Sequence, residues 1–121
     1  MARILIIDDE PLARDTVRMI LEEEGHEIVE AANGYEGIET DNAQPADLII
    51  TDLIMPAKNG IETILYFREA RPDLKIIAMS GGGRFRAEDP LALAKKLGVP
   101  HVLLKPFGPG ELIQAVRKCL A

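Results

Sequence analysis

Three acidic residues stand where short apolar runs stop. Asp8 and Asp9 follow Ile4-Leu5-Ile6-Ile7, and Asp52 closes Leu48-Ile49-Ile50-Thr51. Two further runs end on different chemistry: Ile76-Ile77-Ala78-Met79 on Ser80, and Val102-Leu103-Leu104 on Lys105-Pro106. If these four ends meet, three carboxylates crowd together and repel one another. Hard oxygen ligands at that density suit a divalent cation, and Mg2+ is the usual choice where phosphate is handled. Lys105 can pair with one acid but cannot neutralise three. Ser80 adds a neutral hydroxyl donor, and Gly81 leaves backbone amides open to an oxyanion. One carboxylate in such surroundings is placed to receive a phosphoryl group. It can itself be the nucleophile, giving an acyl phosphate, with catalysis by positioning and charge neutralisation.

The ends meet only if the runs are parallel strands of one sheet. Leu48-Ile49-Ile50 shows no polar alternation, which marks a strand buried on both faces. The spacing predicts strands over Arg3–Ile7, Glu27–Ala31, up to Asp52, Lys75–Met79 and Val102–Leu104. Glu27–Ala31 is the more polar and is expected at an edge. Between them come helices. Asp9-Glu10-Pro11, an acid able to cap with proline in the first turn, starts one that runs to about Glu24 and stops at Gly25. Its Ala13, Val17, Ile20 and Leu21 share one face, and Leu12 and Met19 fall on the opposite one. A second is expected over about Tyr35–Asn42. A third, capped by Asn59, covers Gly60–Ala70, with Ile61, Ile64, Leu65 and Phe67 on one arc. A fourth starts at Asp89-Pro90 and ends at Leu97 before Gly98. The last spans Gly110–Leu120, with Leu112, Ile113, Val116 and Cys119 inward. Gly81-Gly82-Gly83-Arg84-Phe85-Arg86 is too rich in glycine for regular structure and reads as a mobile loop. Strands alternating with helices imply a parallel sheet covered on both faces, whose carboxyl ends share one rim.

Composition narrows the alternatives. The 121 residues make one domain, 1–121, with 47% hydrophobic and 28% charged residues. A formal net charge of −6 argues against direct nucleic-acid binding, which needs a basic face. No apolar run approaches the roughly 20 residues that span a bilayer. The first run is too short for a signal peptide, and the single cysteine excludes an intramolecular disulfide. A cytoplasmic location is therefore expected. Gly81-Gly82-Gly83 lacks the Gly-Lys-Ser/Thr of a nucleotide phosphate loop. His26 and His101 have no metal-ligand spacing around them.

Asp8-Asp9 after the first strand, Asp52 with Met55-Pro56 and Gly60 behind it, Ser80 after the fourth strand and Lys105-Pro106-Phe107 form an ordered set. That set resembles the response-regulator receiver domain of two-component signal transduction, over essentially the whole chain. The resemblance implies a flavodoxin-like (βα)5 doubly wound five-stranded parallel sheet of order 2-1-3-4-5. It implies transient phosphorylation of Asp52 by a phosphohistidine donor, either a histidine kinase or a histidine phosphotransfer protein. Mg2+ would be held by Asp9, Asp52 and the backbone carbonyl of Ile54, with Asp8 acting through water. Lys105 and Ser80 would contact the phosphoryl oxygens, and Lys105-Pro106 would be cis. The expected role is a signalling switch rather than an enzyme, stand-alone, with output through noncovalent protein partners.

Two features depart from the family pattern. The family usually places an aromatic residue three positions before the lysine, and Val102 stands there, next to His101. The segment between Ser80 and Lys105 is a few residues longer than usual, which predicts a shortened fourth helix. Competing functions read less well. A Mg2+-dependent aspartyl-phosphate phosphohydrolase needs an acid two residues beyond its nucleophile, where this chain has Ile54 after Asp52 and Pro11 after Asp9. A flavin carrier needs a hydroxyl- and glycine-rich phosphate loop after the first strand, and Asp8-Asp9-Glu10 repels phosphate unless a cation intervenes. Leu12 and Met19, exposed beside the acids, suit a hydrophobic docking strip for a helical phosphodonor.

Overall fold

Leu48–Asp52 is buried at every position, which requires neighbouring strands on both sides and cover on both faces. The computed structural model describes residues 1–53, 55, 59–81 and 95–121. In it the strands β1 (Arg3–Ile7), β2 (Glu27–Ala31), β3 (Leu48–Asp52), β4 (Lys75–Ser80) and β5 (His101–Leu104) form one sheet. The order is β2-β1-β3-β4-β5 and every pairing is parallel. The doubly wound topology expected from the sequence is therefore the observed one, with the polar β2 at an edge. The order reverses between β1 and β3, the crevice where open α/β sheets place their ligands.

Alternating side chains of each strand feed two cores. Leu5, Ile7, Ile49, Ile76, Ala78 and Val102 point to one face. There they meet Ile38 of α2 (Gly34–Ala43) and Ile64 and Phe67 of α3 (Gly60–Ala70). Ile4, Ile6, Leu48, Ile50, Ile77, Met79 and Leu103 point to the other. That face is covered by Val17 and Leu21 of α1 (Pro11–Glu23) and by Leu112, Ala115, Val116 and Cys119 of the C-terminal helix, Pro109–Leu120. Each fully buried Ile or Leu contributes about 1.5–3 kcal/mol relative to an exposed one. The two apolar layers thus fix the register that aligns the strand ends. None of the helices among the described residues is long and apolar enough to cross a membrane.

The element boundaries follow the expected ones within one or two residues, and three details differ. The acid expected to cap α1 does not do so with its side chain. The N-cap is Glu10, whose side chain makes no capping bond, and Pro11 opens the helix because its missing N–H costs nothing there. On α3 the buried set is Gly60, Thr63, Ile64 and Phe67, so Leu65 is 60% exposed rather than inward. A stripe at i, i+3, i+4 and i+7 is narrower than the expected arc, and the hydroxyl of Thr63 takes the inner place by donating to the Asn59 carbonyl at 2.9 Å. On the C-terminal helix Ala115 is buried and Ile113 only half so. The loop expected over Gly82–Arg86 and most of the helix expected over Asp89–Leu97 lie outside the described residues, although residues 95–97 are helical.

Candidate functional site

The strand ladders run past their last regular residues and thereby aim the polar ends. Asp8 donates its backbone N–H to the Ala31 carbonyl at 3.1 Å, continuing β1 against β2. Leu53 N donates to the Met79 carbonyl at 3.0 Å, which holds the peptide just after Asp52 against β4. Lys105 N donates to the Ser80 carbonyl at 2.8 Å, tying the end of β5 to the end of β4. Asp8, Asp52, Ser80 and Lys105 therefore sit on one rim, the arrangement the sequence predicts.

Asp8 is almost completely buried and fully engaged. Its Oδ1 accepts the Glu10 backbone N–H at 3.0 Å, which folds the turn into α1, and its Oδ2 accepts Lys105 Nζ at 3.1 Å. The same Nζ donates to Asp52 Oδ2 at 3.2 Å. Asp9 is exposed beside them. One carboxylate oxygen each from Asp8, Asp9 and Asp52 lies within 4.8 Å of the others. Three hard, anionic oxygens at that spacing, two from a turn and one from a strand end, fit a divalent cation of the Mg2+ type. Burial alone would lower the Lys105 pKa, but the charges of Asp52 and Asp8 outweigh it and raise the pKa above the usual amine value. The ammonium is thus held charged between two acids.

The backbone behind Asp52 is braced by α3. Asn59 accepts from Glu62 N at 2.9 Å and the Glu62 side chain accepts the Asn59 N–H, a capping box. Gly60 N donates to the Leu53 carbonyl at 3.0 Å. A Cβ on Gly60 would stand 1.9 Å from the Asp52 carbonyl oxygen and 2.6 Å from Leu53 Cα, so only glycine permits this approach. Lys105-Pro106 is cis, as expected. Ser80 is buried at the end of β4, and Val102 is buried among Ala78, Leu53 and Phe67. The Ile54 carbonyl lies outside the described residues.

Neither histidine is part of the cluster. His26 Nδ1 accepts the Ala2 N–H at 3.1 Å near the start of β1, and His101 opens β5. Burial lowers both pKa values, helped by the N-terminal charge for His26 and by Lys118 for His101. One contact was not anticipated. Arg14 Nη1 donates to the backbone carbonyl of Asp8 at 2.7 Å while its Nε bonds Glu30 Oε1 at 3.0 Å. A first-turn arginine followed by an acid on the edge strand is the signal that could have pointed to it.

The chain is similar to known proteins along nearly its whole length. A family model for the response regulator receiver domain matches residues 4–117. The chain is 32% identical over 117 residues to the chemotaxis protein CheY of Thermotoga maritima, covering 96% of this chain and 95% of that one. It is 35% identical to the nitrate/nitrite response regulator protein NarL of Escherichia coli, spanning 99% of this chain but 55% of NarL. Among solved structures, a response regulator receiver domain protein from Clostridium thermocellum superposes with a TM-score of 0.86 at 30% identity, covering 99% of this chain and 94% of that one.

Proposed function

The chain belongs to the response regulator receiver domain family of two-component signalling, and from that premise we propose that Asp52 is its phosphoacceptor. The observation that carries this reading is the shared ammonium: Lys105 Nζ bonds both Asp8 and Asp52 at the crevice where the strand order reverses. A carboxylate in this position attacks the phosphorus of an N-phosphohistidine. The new O–P bond forms as the P–N bond breaks, and the imidazole leaves with the electron pair and takes a proton from solvent. Mg2+ is the proposed cofactor, with Asp8, Asp9, Asp52 and the Ile54 carbonyl as its ligand set. When bound, it screens the negative charge of the phosphoryl oxygens. Lys105 then shifts its ammonium from Asp52 toward a phosphoryl oxygen, and the Ser80 hydroxyl donates to another. Hydrolysis by water returns the carboxylate and inorganic phosphate, resetting the switch.

The phosphodonor in this reading is a histidine kinase or a histidine phosphotransfer protein. Leu12 and Met19, 80% and 68% exposed on α1, supply the apolar strip for its helix. Between α1 and the turn after β5, a groove of about 570 Å³ lined by Asp8, Val17, Lys105 and Phe107 opens beside the acids and gives the donor imidazole a way in. Output goes to a protein partner rather than to nucleic acid, consistent with the net charge of −6, and the setting is the cytoplasm. The buried Val102 replaces an aromatic relay, so switching works through the Ser80 end of β4 instead. A phosphohydrolase is disfavoured because Ile54 provides no acid two residues beyond Asp52. The test is labelling by a small acyl phosphate with and without Mg2+, followed by intact-mass spectrometry. The wild-type chain should gain one phosphoryl group only with Mg2+, and Asp52→Asn should gain none. Full labelling of Asp52→Asn would overturn the assignment.

A further inference from the structure

The Asp8 carbonyl lies just past the end of the β1–β2 ladder. Its own N–H still reaches Ala31, but β2 stops there and the chain turns at Asn33 to cap α2. In place of a strand amide, the carbonyl takes the Arg14 guanidinium, Nη1 to O at 2.7 Å. The guanidinium is fixed from its other edge, because Nε donates to Glu30 Oε1 at 3.0 Å. Glu30 in turn is gripped by Arg18 Nη1, and Arg18 Nε bonds Glu22 at 3.0 Å. Arg14 and Glu30 are both largely buried, at 18% and 20% side-chain exposure. A planar fork with donors on two edges holds its two acceptors in a fixed relative geometry, whereas an ammonium on a flexible stem constrains their directions less.

We propose that Arg14 is a positioning residue for the acid pocket: it clamps the Asp8–Asp9 peptide to the edge strand through Glu30 and thereby sets the pocket's affinity for a divalent cation. This rests on the reading of Asp8, Asp9 and Asp52 as the cation site and adds a residue that touches neither cation nor phosphoryl group. The Asp8 carbonyl is the hinge atom of the peptide that carries Asp9. Fixing it fixes where the Asp9 carboxylate stands relative to Asp8 and Asp52. Partners one step behind the ligands commonly govern metal affinity in this way.

Charge makes the sign of the test decisive. Arg14 is a cation near the pocket, so deleting it should strengthen Mg2+ binding if only electrostatics matters. If positioning matters, deletion weakens binding. The experiment is calorimetric titration of the protein with Mg2+ alone, with far-UV circular dichroism and thermal melts in EDTA to establish the fold of each variant. Arg14→Ala is expected to bind Mg2+ about tenfold more weakly. Arg14→Lys keeps the charge but not the fork, and should fall between wild type and Arg14→Ala. Arg18→Ala removes the same charge from the same Glu30 without touching Asp8, and should stay within about twofold of wild type. Glu30→Gln should lose affinity in the same direction as Arg14→Ala. Unchanged or tighter binding by folded Arg14→Ala, or by Arg14→Lys if the alanine variant does not fold, overturns the clamp while leaving the site intact. An equal loss in Arg18→Ala overturns it as well. Failure of the wild-type chain to take up Mg2+ overturns the site reading and the clamp with it.

Discussion

Lys105→Met removes the ammonium shared by Asp8 and Asp52, and two opposite effects should follow. The contacts are 3.1 and 3.2 Å, and the Asp8 side chain is 1% exposed. At about 3 Å and an effective dielectric near 20, each contact is worth roughly 5 kcal/mol before desolvation is subtracted. Removing one partner of a buried pair typically costs about 3–5 kcal/mol, because the remaining charge is uncompensated. Lys105 is itself partly open to solvent, at 26% side-chain exposure, so screening brings the expected loss to about 2–3 kcal/mol. In a domain of this size 1 kcal/mol moves the melting temperature by about 3–5 °C, so the variant should melt about 6–15 °C lower in EDTA. With Mg2+ the order changes. The variant keeps three carboxylates and has lost the cation that competes for them, so saturating Mg2+ should raise its melting temperature more than that of wild type. Paired melts in EDTA and in Mg2+ measure both effects. An equal deficit under the two conditions, or no deficit in EDTA, would refute the view that Lys105 and the cation share the same acids.

Three further outcomes follow from particular contacts. Gly60→Ala places a Cβ against the Asp52 and Leu53 backbone, which cannot rotate away, so it should cost about 1–3 kcal/mol or more and slow phosphorylation of Asp52; a melting temperature and labelling rate equal to wild type would contradict the close approach. Leu12→Asp changes an exposed side chain, so it should leave melting and small-molecule labelling unchanged within error but slow transfer from a cognate phosphohistidine protein. Equal loss of both reactions would point to a damaged site instead. For pH, the Lys105 pKa is raised in the folded chain above the ordinary value of 10.5. The stability it contributes is complete below 10.5 and is lost as pH rises through the higher folded value. The difference in stability between wild type and Lys105→Met, measured in EDTA by urea unfolding, should therefore be flat at neutral pH and shrink above that range. A difference that grows with alkalinity would reverse the sign of the argument.

The sheet was legible because β1, β3 and β4 are buried on both faces, and such strands must be written as unbroken runs such as Ile4–Ile7 and Leu48–Ile50. Where those runs end, polar residues have no core reason to be there, which is why Asp8, Asp52, Ser80 and Lys105 are legible as a set in the sequence. Helix faces were less legible. Leu65 looks apolar enough to be inside, yet α3 buries Thr63 because that position faces the sheet and its hydroxyl has a backbone acceptor one turn back. An acid before proline fits a cap locally, yet the Glu10 side chain makes no capping bond to α1. The fold instead uses the Asp8 carboxylate to accept the Glu10 amide. The Arg14 contacts are hard to read because the two partners come from a strand end and an edge strand, and a first-turn arginine followed by an edge-strand acid signals that meeting only weakly.

The central claim is that Asp52 carries the phosphoryl group, and the most direct measurement is chemical identification of the acyl phosphate. After incubation with Mg2+ and a small acyl phosphate, borohydride reduction converts a phosphorylated aspartate to homoserine. Peptide mapping by mass spectrometry should place homoserine at position 52 and leave Asp8 and Asp9 as aspartate. Homoserine at position 8 or 9, or none anywhere in a chain that has taken up phosphate, would contradict the account.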